Sequence, residues 1–163
     1  MSILLLIAAL LGVQKAELPA STRPAISVTI SPSSDVVKLG SELRIKIVIT
    51  NISNRELDVG RPVGNGPQGE FRNLIDVRDE RGNAAVKTKY YRQIRGEEVT
   101  HGGIRLETTD SLLKPGESTA EEVVVSKLYS LEKEGKYTVQ TQRDDPDSKA
   151  LVKSNRITVT VTP

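Results

Sequence analysis

The chain has 163 residues, 37% of them hydrophobic and 27% charged, and its 23 Lys and Arg against 21 Asp and Glu leave a formal charge of +2. That is enough chain for one self-sufficient core, too apolar for a disordered segment, and without the basic surplus of a general nucleic-acid binder. The absence of cysteine excludes disulfides, thiolate metal sites and a cysteine nucleophile, and the single histidine, His101, leaves little for metal or acid–base chemistry.

Ile3 to Val13 is a run of Ile, Leu, Ala and Val with one Gly. It is too short to span a bilayer, which takes about 20 apolar residues, and it fits the apolar region of a secretory signal peptide. Gln14-Lys15-Ala16 follows, so residues 1–16 are expected to be a signal peptide cleaved after Ala16, with Ala20 as the second candidate. The mature chain would then be secreted or periplasmic. Residues 17–25, which include Pro19 and Pro24, read as a linker, and residues 26–163 as one domain.

From Ile26 the hydrophobic period is two. Ile26, Val28 and Ile30 alternate with polar residues until Pro32 breaks the run, and Leu43, Ile45, Ile47 and Ile49 mark the clearest half-buried strand. Asn51 to Asn54 is a polar turn, Glu56 to Val59 a short strand, and Gly64-Asn65-Gly66-Pro67-Gln68-Gly69 a connection. The last formally satisfies a dinucleotide fingerprint, but Pro67 and the strand expected after it deny the helix that fingerprint must open. Ile75 and Val77 begin a strand that ends at the hairpin signal Asp79-Glu80-Arg81-Gly82-Asn83, and Val86 resumes it. A short strand is expected at Ile104 and Leu106.

Lys114-Pro115-Gly116-Glu117 has the proline and glycine placement of a turn, and Lys38-Leu39-Gly40-Ser41-Glu42 shares its pattern. Strands follow at Glu121 to Val125, at Tyr137, Val139 and Thr141, and at Ile157, Val159 and Val161. The helix expected is one turn within Leu128 to Glu134. About seven to nine short strands separated by turn residues predict an all-β, antiparallel sandwich.

Leu131, Gly135 and Tyr137 stand at the mouth of a strand in the spacing of the tyrosine corner of immunoglobulin-like sandwiches, so these three are expected to be structural. No catalytic set emerges. His101 sits in a glycine-rich loop without a G-x-S-x-G elbow, and Glu121 and Glu122 are adjacent on a strand and face opposite sides. Asp144-Asp145-Pro146-Asp147 offers carboxylates of the kind calcium favours. It lacks the glycine and closing glutamate of an EF-hand loop and reads as a hairpin tip, so no metal or cofactor is expected.

The candidate partner-binding residues are Tyr90, Tyr91, Arg92 and Arg95, since Tyr and Arg dominate protein–protein hot spots. The alternative for Lys87 to Arg95 is a strand and its loop, with one tyrosine in the core and the basic residues solvated.

The motifs Val48 to Asn54, Phe71 to Gly82, Leu113 to Ser118 and Gly135 to Val139 resemble bacterial immunoglobulin-like domains, and among them the bacterial intracellular proteinase inhibitor family. The resemblance implies the immunoglobulin-like fold and, as an alternative function, inhibition of a proteinase through an exposed loop. The leading expectation is a non-catalytic, exported interaction or structural module. It would bind a protein partner, such as a protease or an envelope protein, through a loop or sheet edge, with no nucleic acid and no membrane span.

Overall fold

The computed structural model describes residues 23–62, 68–99 and 108–163. The signal-peptide region 1–16, most of the linker, Gly64 to Pro67, His101 and the strand expected at Ile104 and Leu106 lie outside the described residues. In chain order the elements begin with β1 (Ile26–Pro32), β2 (Val36–Lys38), β3 (Arg44–Asn51), β4 (Leu57–Asp58), β5 (Arg61–Pro62), α1 (Gln68–Arg72), β6 (Leu74–Asp79), β7 (Val86–Lys87) and α2 (Lys89–Ile94). They continue with β8 (Thr108–Thr109), β9 (Leu112–Leu113), β10 (Ser118–Val124), α3 (Val125–Leu128), β11 (Tyr129–Ser130), β12 (Gly135–Asp144), β13 (Leu151–Lys153) and β14 (Ile157–Thr162).

Eight strands build two layers. One is the antiparallel sheet β1-β3-β10; in the other, β12 pairs with β6 on one side and with β14 and then β13 on the other, and β2 joins β14 in parallel. The chain passes between layers from β3 to β6, back to β10, and again to β12 and β14. The division of β1, β3 and β10 from β6, β12 and β14 is that of an immunoglobulin-like sandwich.

The inward positions follow the period of two seen in the sequence. Ile45, Ile47 and Ile49 of β3 and Val139 of β12 are at most 1% exposed and share one core with Val77, Val123 and Val159. Each such isoleucine contributes about 2–3 kcal/mol of transfer free energy. Both shared turn patterns close alike: Ser41 N–H donates to the Lys38 carbonyl at 3.0 Å and Glu117 N–H to the Lys114 carbonyl at 2.9 Å. Gly40 and Gly116 stand third in these turns with φ of +79° and +81°, a conformation that favours glycine.

The helices differ from the sequence reading, and Gln68–Arg72, where a strand was expected after Pro67, is a short helix, with the strand beginning at Leu74. The helical turn is Val125–Leu128, earlier than expected, because Val125 and Leu128 are both buried at a three-residue spacing, while Tyr129 and Ser130 pair with Lys87 and Val86. Lys89–Ile94 is a helix rather than a strand with its loop. Thr88 caps it, its Oγ1 accepting from Tyr91 N–H at 3.1 Å, and Tyr91 and Ile94 supply its buried face.

Candidate functional site

Tyr137 Oη donates to the Lys133 carbonyl at 3.0 Å, four residues upstream, which is the bond a tyrosine corner makes. Leu131 packs against the core beside it, and Gly135 takes φ of +135° where the chain enters β12.

The structure divides the four candidate partner-binding residues. Tyr91 is 7% exposed, so it is a core residue and not a surface anchor. Its ring lies 5.3 Å from that of Tyr129, whose hydroxyl donates to the Ile75 carbonyl and whose phenol is pushed up by burial. Tyr90 is half-buried against the core, and its phenol is raised first by burial and then by the Glu70 carboxylate. Arg92 donates to the Lys87 carbonyl at 2.8 Å and pairs with Glu98 at 3.2 Å. Lys87, raised chiefly by its bond to Glu97, lies 4.5 Å above the Tyr91 ring.

Arg95 is the hub of this corner. Its Nη1 donates to the Phe71 carbonyl at 2.6 Å, and its Nη2 donates to the carbonyls of Glu70 at 2.9 Å and Asn73 at 2.7 Å. Those carbonyls belong to α1 and its exit, where a cation also suits the helix dipole. The guanidinium lies over two rings, 5.6 Å from the centroid of Phe71 and 5.7 Å from that of Tyr91. Arg95 therefore fixes α1 to α2 and holds Phe71 at the surface.

Beside Phe71 is a hollow of about 300 Å³, lined by Phe71, Arg72, Leu74, Arg95, Gln142, Arg143, Asp144 and Leu151. Leu74 opens β6 and points outward because Ile75 and Val77 point in; it stands opposite Gln142 in register. Leu151 stands opposite Asp144 from the other side. Phe71, Leu74 and Leu151 are 41%, 41% and 49% exposed, so three large apolar side chains meet on the outer face of the second sheet. A larger groove of about 520 Å³ near the tyrosine corner has charged walls, with Val86 its one strongly exposed large apolar residue among the described residues.

Beneath the hollow the continued alternation of β12 carries a charge inside. Arg143 is 4% exposed; its Nη1 meets Glu121 Oε1 at 2.6 Å, and its Nη2 donates to the Val59 carbonyl at 2.8 Å. Asn73 Nδ2 donates to the same Glu121 oxygen at 2.8 Å. Burial lowers the pKa of Arg143, and Glu121 opposes that shift. Arg72 also donates to the Val59 carbonyl, at 2.8 Å. Glu122 faces outward to Arg44 at 2.7 Å, so the adjacent glutamates do lie on opposite faces.

The acidic hairpin tip is occupied by internal bonds. Asp145 Oδ2 accepts from the N–H groups of Ala25 and Ile26, and its Oδ1 accepts from the N–H groups of Asp147 and Ser148 and from the Ser148 hydroxyl. Burial by itself raises this carboxyl, but the donors together hold it below the ordinary carboxylate range. Asp147 pairs with Arg55. The tip thereby ties the start of β1 to the β12–β13 turn.

Sequence reading missed Phe71, Leu74, Leu151 and Arg143. Arg143 had a signal, since it continues the inward series Tyr137, Val139, Thr141. Phe71 is the only phenylalanine of the chain.

No family model and no curated protein matches the chain. Among solved structures it is similar to the CARDB domain of the PF1109 protein from Pyrococcus furiosus in complex with di-metal ions. That match has 14% identity and a TM-score of 0.42, over 85% of this chain and 93% of that one. It is also similar to part of a β-glucosidase from Erythrobacter marinus (14% identity, TM-score 0.42) and of one from Listeria innocua in complex with glucose (14%, 0.38). In both, 85% of this chain matches 16% of the glucosidase, so the chain spans a small part of either enzyme. The assignment of the sandwich stands on the strand pairing.

Proposed function

We propose that this chain is a non-catalytic interaction or structural module that holds a protein partner on the outer face of its second sheet. The observation that carries this reading is the meeting of Phe71, Leu74 and Leu151, each more than two-fifths exposed, around one hollow. Exposed apolar side chains gathered in one place with arginine beside them are the composition of a binding surface, whereas scattered ones need no explanation. The sheet face replaces the Tyr90–Arg95 segment as the contact, and that segment becomes its support. Export to a secreted or periplasmic location rests on the apolar run Ile3 to Val13.

A non-catalytic role fits the commitments of the carboxylates among the described residues. Glu121 is committed to Arg143, Glu122 to Arg44, Asp145 to five donors, and Asp147 to Arg55. The proteinase-inhibitor resemblance would make the partner a protease, and titration of a serine protease with the chain tests it.

The test of the module is affinity capture from the extracellular or periplasmic proteome with the native chain and with a Leu74→Ser, Leu151→Ser double variant. Both leucines face outward, so the variant keeps the core. A partner retained by the native chain and lost by the variant supports the reading. A partner retained equally by both overturns the assignment of the hollow.

A further inference from the structure

We infer that the occupant of the hollow is a partner segment presenting an aliphatic or aromatic side chain flanked by carboxylates; this rests on the docking role proposed above. The apolar floor of Phe71, Leu74 and Leu151 takes the side chain. The charge around it selects the flanks.

Arg143 is neutralised by Glu121, and Arg72 donates to the Val59 carbonyl at 2.8 Å. Arg95 has no such compensation: its hydrogen bonds go to three main-chain carbonyls, its Nε–H is buried without an acceptor, and its guanidinium remains a cation against the Phe71 ring. Lys153 stands opposite Gln142 in register, so it shares the outer face of the hollow, and it is exposed with no ion-pair partner among the described residues. Against these cations the lining of the hollow carries Asp144, and Asp76, next on the same face, is paired with Arg78. A carboxylate approaching this rim meets net positive charge, and an ammonium is repelled. Such complementarity sets specificity more than raw affinity.

The experiment uses two synthetic peptides with one Leu-Phe core, one flanked by Asp and Glu and the other by Lys, titrated into the isotope-labelled full chain. Amide shifts of Phe71, Leu74, Leu151 and Lys153 report the site. The inference expects the acidic peptide to bind at the hollow about 10-fold more tightly than the basic one. The gap should shrink with added salt and in Lys153→Glu, an exposed substitution that leaves the core untouched. Equal binding of both peptides at the hollow, or tighter binding of the basic one, overturns the charge assignment and leaves the docking role standing. Titrations that leave all four residues unshifted overturn the inference, while the docking role stands or falls on the capture by the native chain and its Leu74→Ser, Leu151→Ser variant.

Discussion

Arg95 grips Phe71 twice: its Nη1 donates to the Phe71 carbonyl at 2.6 Å, and its guanidinium lies 5.6 Å from the Phe71 ring centroid. A residue that looks in the sequence like a binding arginine is thereby a positioning residue for the surface next to it. Lysine cannot reproduce this, because one ammonium cannot serve three carbonyls while presenting a plane to two rings. Arg95→Lys is expected to lose about 1–3 kcal/mol of stability, read from urea unfolding. An unchanged urea midpoint would contradict the role given to Arg95.

Among the described residues, Arg143 and Glu121 form the ion pair set deepest in the sandwich, 4% and 11% exposed in their side chains. Removing one partner leaves the other charged in the core. Arg143→Met is expected to cost about 3–5 kcal/mol, and adding Glu121→Leu to recover part of that loss, since no buried charge is then left. If the two substitutions simply add their costs, the pair is not coupled as the geometry requires.

Asp145 links acid stability to the hairpin tip. Its folded pKa is depressed, so its stabilisation is complete above about pH 4 and is lost as pH falls through the folded value. Asp145→Asn places an amide N–H against donors that now meet a carboxylate oxygen. The variant should be less stable at pH 7 and should show a flatter loss of stability between about pH 4 and pH 2, measured by urea midpoints across that range. A variant whose pH profile parallels the native one would remove Asp145 from the acid response.

Among the described residues, the Tyr137 hydroxyl has one partner, the Lys133 carbonyl. Tyr137→Phe keeps the ring in the core and deletes the bond, for an expected loss of about 1 kcal/mol with an unchanged denaturant slope. A gain in stability on this substitution would show that the corner contributes nothing.

The sheets were legible because β1, β3, β6, β12 and β14 each alternate apolar and polar residues for several positions, and the turns at Gly40 and Gly116 carry residues their geometry demands. The helices were less so. α1 and α2 have five and six residues, too few for a helical period to show, although Thr88 followed at three and six residues by Tyr91 and Ile94 is a start signal for α2. The hollow had no linear signature at all. Phe71, Leu74 and Leu151 come from a helix and two strands that only the pairing of β6 and β13 with β12 brings together.

A partner bound at the hollow leaves the rest of the exposed apolar surface untouched. Leucine-methyl spectra of the full chain with its captured partner test it directly, because Leu39 and Leu112 are exposed elsewhere, at 44% and 60%. The methyl signals of Leu74 and Leu151 are expected to shift or broaden while those of Leu39 and Leu112 stay. Movement of Leu39 or Leu112 with Leu74 and Leu151 unchanged would contradict it.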